Sequence, residues 1–292
     1  MEKLIVYLAL VLVGLCLGSF AGATLWRLRA RQLKDDKADG EHINEREYAR
    51  LEKLTKKDAL HDRSQCLHCS YTLKWYDMIP LISWLSLGGK CRQCRHKIGR
   101  LEPLIELGVA VFFVLSYAFW PYPLDSVLGI SHLVIWLVAG VALAILFAYD
   151  TKWFLLPDKA SFVLIGLGVL TSGIALIQSH DVVGTFFSIF SGAVILSGLY
   201  LALYLLSKGK WIGFGDIKLG LGLSLLLADW RLAFITLFAA NLIGCLIVIP
   251  GMVAGKLKRN SHIPFGPLLI AGAVVAQLAG PQLIDIYLYG LL

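Results

Sequence analysis

The sequence predicts an all-α polytopic membrane protein, and three observations lead to this fold class. Of the 292 residues, 58% are hydrophobic and only 16% are charged, and the mean hydropathy is +0.72. A soluble domain is about 45–50% apolar, so this composition excludes an ordinary soluble enzyme. The apolar residues also form windows long enough to cross a lipid bilayer, and the basic residues are concentrated between alternate windows.

Eight apolar windows predict about eight transmembrane helices. The windows are residues 4–25, 103–120, 131–149, 161–178, 182–206, 217–227, 231–253 and 264–288. The sixth window is shorter than the roughly 17 to 25 residues that cross a bilayer, and Ala228, Asp229 and Trp230 separate it from the seventh. Glycines recur in these windows, and we interpret them as positions at which two helices touch.

The distribution of lysine and arginine predicts the orientation of the chain. Residues 27–102 contain 17 of the 27 basic residues, and the other basic clusters surround Lys152, Lys208 and Lys256. Because basic loops stay in the cytoplasm, this alternation predicts eight spans with both termini outside. The net charge of +7 is then an orientation signal, and we do not interpret it as nucleic-acid binding.

The hydrophilic stretch between the first and second windows predicts a small zinc-binding cytoplasmic insertion. Cys66-Leu67-His68-Cys69 is followed, after 21 residues, by Cys91-Arg92-Gln93-Cys94. Two such knuckles supply four thiolates, enough for a closed tetrahedral Zn²⁺ site of the structural kind. Two disulfides or four free thiols are the alternatives, and the reducing cytoplasm disfavours a disulfide framework. His68 and His96 are possible substitute ligands.

Two further segments of the insertion have a recognisable pattern. Residues 44–62 alternate acidic and basic side chains around a thin apolar stripe, which is typical of a solvated helix. Residues 73–87 are rich in tryptophan and aliphatic side chains, which suits either the membrane interface or a small protein core.

Two aspartates mark the candidate active site. Asp150 ends the third window, and Asp216 begins the sixth in the run from Gly213 to Gly220. An ionisable residue at the edge of a spanning helix is costly, so its usual role is functional, with the other acid as the expected partner. The alternative is that the two acids cap helices or pair with Lys152 and Lys218.

Five more residues near the same face are candidates for binding substrate or supporting the site. Gly213 and Gly215 allow close approach of substrate or helix backbone to Asp216. Lys218, two residues further on, can bind substrate or extend to the membrane interface. Asp158 follows Pro157 at a helix start, where it can cap the helix or contact substrate. Glu106 lies inside the second window and therefore requires a polar partner there.

An ordered set of short motifs resembles the bacterial type IV prepilin peptidases. The motifs run through nearly the whole chain and accompany the four cysteines; they are Gly18-Ser19-Phe20, Arg27-Leu28, Arg63-Ser64-Gln65-Cys66, Trp75-Tyr76-Asp77-Met78-Ile79-Pro80, Ser83-Trp84-Leu85, Gly89-Lys90-Cys91-Arg92, Pro103-Leu104-Ile105-Glu106-Leu107, Asp150 with Leu156-Pro157-Asp158, Gly213-Phe214-Gly215-Asp216-Ile217-Lys218-Leu219, and Ile263-Pro264-Phe265-Gly266-Pro267.

This resemblance implies an enzyme of the bacterial inner membrane with two activities. It would remove the basic leader of type IV prepilins and type II secretion pseudopilins and then N-methylate the new terminus, with S-adenosylmethionine as methyl donor. The resemblance assigns Asp150 and Asp216 to an intramembrane aspartic dyad of the Gly-X-Gly-Asp class. It assigns Zn²⁺ to the four cysteines.

The predicted organisation has three parts: a first transmembrane helix in residues 1–26, a cytoplasmic zinc-binding domain in residues 27–102, and a transmembrane peptidase domain in residues 103–292. Departures from the family pattern, such as Gly22, Leu67 and Gly99, lie in or beside the second part, and no phosphate or dinucleotide loop marks a donor site. Docking of basic leaders on acids such as Asp77 and Glu102 is a further hypothesis.

Two other functions fit part of the pattern. One is a non-enzymatic scaffold or transporter, in which the aspartates form an ion relay and the cysteine module recruits a partner. It predicts paired acids at mid-membrane depth and a hydropathy repeat, and the sequence has neither. The other is a peptidase without methyltransferase activity, which composition does not distinguish from the bifunctional enzyme.

Overall fold

The computed structural model describes residues 2–55, 63–258 and 262–290, and these parts of the chain are almost entirely helical. Within these residues, the β-structure consists of two isolated β-bridges. The α-helices are α1 (Glu2–Ala38), α2 (Glu45–Leu51), α3 (Ile82–Ser86), α4 (Leu101–Ala118), α5 (Val127–Trp153), α6 (Asp158–Gln178), α7 (Val182–Ala193), α8 (Leu199–Ser207), α9 (Phe214–Leu227), α10 (Trp230–Val253) and α11 (Gly266–Tyr289). A π-helical turn, Val194–Gly198, joins α7 to α8 without a break.

Within the described residues, seven helical segments are long and apolar enough to cross a membrane. The all-α multi-pass prediction is therefore confirmed. Each of the eight predicted windows coincides with a helix, and the short sixth window corresponds to α9. With 14 residues, α9 is about 21 Å long, which is less than the roughly 30 Å hydrocarbon core of a bilayer.

The chain divides between Val114 and Leu115 into two compact units. In the first unit, α1 and α4 approach closely at two glycines. A Cβ on Gly14 would lie 2.7 Å from the Cα of Ala110, and a Cβ on Gly18 would lie 2.6 Å from the Cα of Glu106. Since no side chain fits at either position, glycine is what allows the two backbones to pack.

The C-terminal part of α1 packs against the first helix of the insertion. α1 continues to Ala38, well past the predicted end at residue 25, and its Leu33 packs with Leu51 of α2 in a small buried cluster. Asn44 caps α2 by accepting hydrogen bonds from two backbone N–H groups. α2 and the 3₁₀ turn Glu52–Leu54 confirm the start of the helix predicted at residues 44–62, and residues 56–62 lie outside the described parts.

The aromatic segment at residues 73–87 forms a 3₁₀ turn, Trp75–Asp77, and then α3. Trp75, Ile82 and Leu85 are each more than 60% exposed. Exposed apolar side chains of this size are typical of a surface that contacts another apolar phase. The location of this segment at the membrane interface remains a prediction.

In the second unit, α6 packs along α9, α10 packs along α11, and α5 contacts both α6 and α11. The core side chains include Trp136 of α5, whose indole N–H donates to the hydroxyl of Ser116 at 2.9 Å. Glycine also determines the α6–α9 contact, because a Cβ on Gly168 would lie 2.7 Å from the Cβ of Leu225. The interpretation of the glycines as helix contacts is correct for Gly168, whereas no atom of the described segments lies within 4 Å of the Cβ position of Gly166.

Gly168→Ala should lower stability, because the new methyl group must displace α9, whereas Gly166→Ala should not. Overpacking of this kind costs about 1–3 kcal/mol, and we expect the midpoint of thermal unfolding in detergent to fall by roughly 3–10 °C. Gly166→Ala is a matched control two residues away on the same helix. An equal midpoint of thermal unfolding for the two variants would contradict the close contact between Gly168 and α9.

Candidate active site and metal centre

Asp150 lies near the C-terminal end of α5 and is 6% exposed. One of its carboxylate oxygens, Oδ2, accepts a hydrogen bond at 3.0 Å from the backbone N–H of Gly266, the first residue of α11. A Cβ on Gly266 would lie 2.7 Å from the same oxygen, so only glycine allows this bond. The sequence places these residues 116 positions apart, and the fold brings them into contact.

Asp216 lies in the first turn of α9, after Gly213 at the N-cap position, and is partly buried. It is close enough to Asp150 for the charges of the two carboxylates to interact. Leu156 contacts both Gly215, which precedes Asp216, and Gly266, which is bound to Asp150. Its side chain is 2.9 Å from the Cβ position of Gly215 and 3.5 Å from that of Gly266. The structure therefore brings Asp150 and Asp216 to one region of the second unit.

The glycines before Asp216 have different surroundings. Gly215 packs tightly against Leu156, so it supports the expectation of close approach. The Cβ position of Gly213 is 3.7 Å from Oδ2 of Asp216, which is ordinary contact distance. Gly213 is exposed, and its place is at the start of the helix rather than in a crowded contact.

Lys218 and Asp158 pair with each other. The Nζ of Lys218 donates to the Asp158 carboxylate at 2.5 Å and lies over the rings of Phe162 and Phe214. The expectation that Asp158 caps α6 is wrong, because Pro157 is the N-cap residue and this helix has no side-chain cap among the described residues. Lys218 is accordingly bound to Asp158 and not to Asp216, which removes one alternative role for the second aspartate.

Glu106 has the polar partner that its position in an apolar helix requires. It is 8% exposed, and its Oε2 accepts a hydrogen bond at 2.8 Å from the backbone N–H of Leu81. Both residues belong to the first unit. Glu106 is therefore in a different unit from the two aspartates, and it lines a cavity there.

The four cysteines form a cluster that can hold a metal ion. The sulfur atoms of Cys66, Cys69, Cys91 and Cys94 all lie within 4.8 Å of one another. The Cys66–Cys94 sulfur distance is 3.9 Å, and the Cys69–Cys91 distance is 4.0 Å.

The two knuckles repeat the same backbone geometry. In each, the first cysteine N–H donates to a carbonyl five residues further on, Tyr71 for Cys66 and His96 for Cys91. In each, the residue after the second cysteine has a positive φ, 60° at Ser70 and 56° at Arg95. This turn aims the N–H groups after the first cysteine at its sulfur. Burial raises the pKa of Cys91, but the N–H groups of Cys94 and Gln93 outweigh burial and lower it to about 7.

Asp77 braces the second knuckle. It is 9% exposed, and its carboxylate accepts a hydrogen bond from Arg92 at 2.7 Å and from the N–H of Lys74 at 3.2 Å. Burial raises the pKa of Asp77, but these two donors outweigh burial and hold it below its usual value. Because Asp77 is buried and bonded, it is not a surface acid that a basic leader can contact, and that hypothesis is wrong for this residue.

A cavity of about 550 Å³ lies in the first unit. Its lining comes from α1, from α4 and from the segment between them that contains the four cysteines. The lining residues include Trp26, Trp84, Gly99, Glu102 and Glu106. No pattern in the sequence predicts this cavity, because its lining comes from segments far apart in the chain.

Two family models match the chain. The "Bacterial Peptidase A24 N-terminal domain" matches residues 12–120, which contain the four cysteines, and the "Type IV leader peptidase family" matches residues 137–249, which contain both aspartates. A prepilin leader peptidase/N-methyltransferase of Aeromonas hydrophila is 31% identical over 297 residues, covering 97% of this chain and 94% of the relative. The chain belongs to the type IV leader peptidase family.

Other members of the family agree in length as well as in sequence. A prepilin leader peptidase/N-methyltransferase of Pseudomonas aeruginosa is 29% identical, and the match covers 96% of this chain and 93% of the relative. A type 4 prepilin-like proteins leader peptide-processing enzyme of Escherichia coli O78:H11 is 29% identical, with 89% of each chain covered. No solved structure matches the chain. The family resemblance seen in the motifs is thus confirmed.

Replacing Cys66 and Cys91 together with serine should abolish metal binding, because each knuckle loses a thiolate and serine is a poor ligand for a soft site. We expect elemental analysis of the purified protein to fall from about one metal ion per chain to a background level. Thermal stability should fall with it.

The control is the double variant Cys16→Ser, Cys245→Ser, whose positions are exposed and outside the cluster. It should retain the metal content of the wild-type protein. Full metal occupancy after loss of Cys66 and Cys91 would contradict the assigned centre.

Proposed function

We propose that this protein is a membrane-embedded aspartic endopeptidase that removes the basic leader peptides of type IV prepilins and type II secretion pseudopilins. We further propose that it N-methylates the new N-terminal residue. The observation that carries the peptidase proposal is the approach of Asp150 and Asp216 in the second unit, with the Gly266 amide bound to one of the two carboxylates. The printed names of the relatives support both activities.

The chemistry requires no covalent intermediate. One carboxylate takes a proton from a water molecule, which attacks the scissile carbonyl carbon, while the other carboxyl group donates a proton to the carbonyl oxygen. The C–N bond then breaks as the first carboxyl group passes its proton to the leaving amine, and the second carboxylate regains a proton as the carbonyl forms again. Two acids held close together do not both ionise easily, so they share one proton before substrate binds. Because the two aspartates hold a single proton between them, one is the acid and the other is the base at the same time.

The environment of Asp150 favours a fixed geometry. The Gly266 N–H occupies Oδ2, which orients the carboxylate and leaves its other oxygen for water or for the partner acid. The Lys218–Asp158 ion pair joins the N-terminal ends of α9 and α6. In this proposal Gly213, Gly215, Lys218 and Asp158 support the site, and they do not take part in proton transfer.

The metal of the cysteine cluster is, in our proposal, a structural Zn²⁺ ion. Four Zn–S bonds of about 2.3 Å in a tetrahedron place the sulfurs about 3.8 Å apart. The distances of 3.9 Å and 4.0 Å in the cluster fit this requirement. Because four thiolates fill the coordination shell, the ion would hold the two knuckles together and would have no open position for substrate.

The methyl donor is proposed to be S-adenosylmethionine, since an N-methyltransferase needs an electrophilic methyl group. The division of labour we propose assigns residues 1–26 to a first transmembrane helix, residues 27–102 to the cytoplasmic zinc-binding domain and residues 103–292 to the peptidase domain. Glu106 belongs by its number to the peptidase domain of this division, but its side chain lines the cavity of the first unit.

We place the protein in the bacterial inner membrane, with the cysteine module and the aspartates at the cytoplasmic side and both termini outside. The basic loops around Lys152, Lys208 and Lys256 support this orientation. It requires α9 to count as an eighth crossing, with its short length offset by local thinning of the bilayer or by surrounding helices.

Asp150→Asn and Asp216→Asn should each reduce prepilin cleavage by at least about 100-fold, because either change removes the shared proton or the base. The experiment incubates protein in liposomes with a full-length prepilin and S-adenosylmethionine, and mass spectrometry identifies the product termini. Wild-type protein should yield a new N-terminus that carries a methyl group.

Asp125→Asn, at an exposed loop position, is the control and should cleave normally. Cleavage that survives either dyad substitution would refute the aspartic mechanism. No cleavage by intact metal-loaded wild-type protein would favour the scaffold or transporter function. Cleavage without methylation would identify a peptidase that lacks the second activity.

A further inference from the structure

The cavity of the first unit has the size and lining of a small-molecule site. Its volume of about 550 Å³ is within the roughly 300–1,000 Å³ range of ligand pockets. Its walls include the indoles of Trp26 and Trp84 and the carboxylates of Glu102 and Glu106. Since Glu102 and Glu106 are four residues apart on α4, they lie on the same face of one helix.

One of the two carboxylate oxygens of Glu102 is a candidate contact for a ligand. Its Oε1 accepts a hydrogen bond from the Trp26 indole N–H at 2.9 Å. Its Oε2 is buried and, among the described residues, has no hydrogen-bond partner. A buried carboxylate oxygen without a partner is costly, and a cation or a hydroxyl group in the cavity would satisfy it.

The space beside this oxygen is kept open by glycine. The Cβ position of Gly99 is 3.4 Å from Oε2 of Glu102, so glycine leaves room on that side. Gly22, on α1, also lines the cavity, and no atom of the described residues lies within 4 Å of its Cβ position. The cavity therefore extends to the α1 backbone.

The aromatic walls are held in place. The Trp84 indole N–H donates to the carbonyl of Gly99 at 3.2 Å, and the Cβ position of Gly89 is 2.9 Å from the Trp84 ring. The guanidinium of Arg50 lies 5.9 Å from the centre of the Trp26 ring and also lines the cavity. The site thus combines carboxylates for a cation, tryptophans for a planar base or a cation, and an arginine for a carboxylate.

We propose that this cavity binds the sulfonium methyl donor of the methyl-transfer reaction, with Glu102 beside the positive sulfur. The proposal rests on the methyltransferase half of the proposed function. When bound, the donor supplies a methyl group: the lone pair of the peptide amine forms the N–C bond, the C–S electron pair remains on sulfur, and one amine proton passes to water. Glu102 and Glu106 favour a positive charge at this place, and Trp26 holds the Glu102 carboxylate in position.

Glu102→Gln tests the assignment, because it removes the charge and keeps an acceptor for Trp26. The probes are S-adenosylmethionine and its neutral thioether, S-adenosylhomocysteine, titrated by calorimetry into full-length, zinc-loaded protein in nanodiscs without prepilin. We expect the Kd for S-adenosylmethionine to rise at least about 10-fold, with a smaller change for S-adenosylhomocysteine.

Gly22→Leu is a second variant, which fills the cavity without a backbone clash, and it should weaken both ligands. Glu41→Gln, an exposed acid of the same unit, should bind both as the wild-type protein does. Wild-type affinity in both Glu102→Gln and Gly22→Leu would overturn the site while leaving methyl transfer intact. An equal loss for both ligands in Glu102→Gln would refute its place beside the sulfur. Cleavage by wild-type protein that neither binds nor uses S-adenosylmethionine would instead refute the methyltransferase function.

A separate observation concerns Tyr200 in the second unit. This residue of α8 is 3% exposed, and its hydroxyl is buried with no hydrogen-bond partner among the described residues. Its ring is 5.5 Å from that of Phe265, which directly precedes the residue bound to Asp150. It is also close enough to Asp216 to be influenced by that charge.

The π-helical turn before Tyr200 packs against α9. The hydroxyl of Ser197 donates to the carbonyl of Ile217 at 3.0 Å, and the Cβ position of Gly220 is 2.7 Å from the carbonyl oxygen of Leu196. An extra residue in a helical turn changes the direction of the side chains that follow, and such turns are frequent at functional sites. The buried phenol therefore lies between the segments that carry Asp216 and Gly266.

We infer that Tyr200 is a catalytic residue of the proposed peptidase reaction, whose hydroxyl donates a hydrogen bond to the scissile carbonyl oxygen. Tyr200→Phe keeps the ring and removes only this donor. We expect kcat for prepilin cleavage to fall about 10- to 100-fold, with KM within about threefold of wild type.

Tyr204→Phe, one turn further along α8, is the matched control and should retain wild-type kcat. A wild-type kcat in Tyr200→Phe, or a change in KM alone, would overturn the role of the hydroxyl. Absence of cleavage by the wild-type protein would refute the proposed peptidase function itself.

Discussion

The hydrogen bond from the Gly266 amide to the Asp150 carboxylate is the contact on which the geometry of the second unit depends. It joins the end of α5 to the start of α11, and it exists only because position 266 has no Cβ. Leu156 then packs against both Gly266 and Gly215, so the segment that carries Asp216 is positioned by the same contact. One backbone donor thus orders two carboxylates from distant parts of the sequence.

Backbone amides stabilise buried acids in both units. Glu106 accepts from the N–H of Leu81, Asp77 from the N–H of Lys74, and Asp150 from the N–H of Gly266. A carboxylate in an apolar surrounding requires a donor, and an amide supplies one without bringing a second charge. Glu102 differs, because one of its oxygens is buried and has no hydrogen-bond partner in the parts of the chain that the structure describes. That difference singles out the cavity of the first unit.

The helices and the cysteine cluster were predictable because they depend on local or near-local patterns. Apolar windows of bilayer length located every long helix, and the Cys-X-X-Cys spacing identified all four clustered sulfurs. The partner of Lys218 was not predictable, since a lysine near two acids can pair with either, and the fold places it against Asp158. Tyr200 was missed because a tyrosine within a continuous apolar run has no distinctive pattern.

The sequence by itself determined the membrane class, the approximate helix positions, the four metal-ligand candidates and the two aspartates, because length, hydropathy and spacing are properties of one segment at a time. Only the tertiary structure decided what lies beside each acid. The Gly266 amide, the Lys218–Asp158 pair, the buried Tyr200 hydroxyl and the cavity around Glu102 all arise from contacts between separate segments. Two of these acids, Asp150 and Glu102, lie against a glycine, Gly266 and Gly99. A missing Cβ has an effect only when another segment packs at that position.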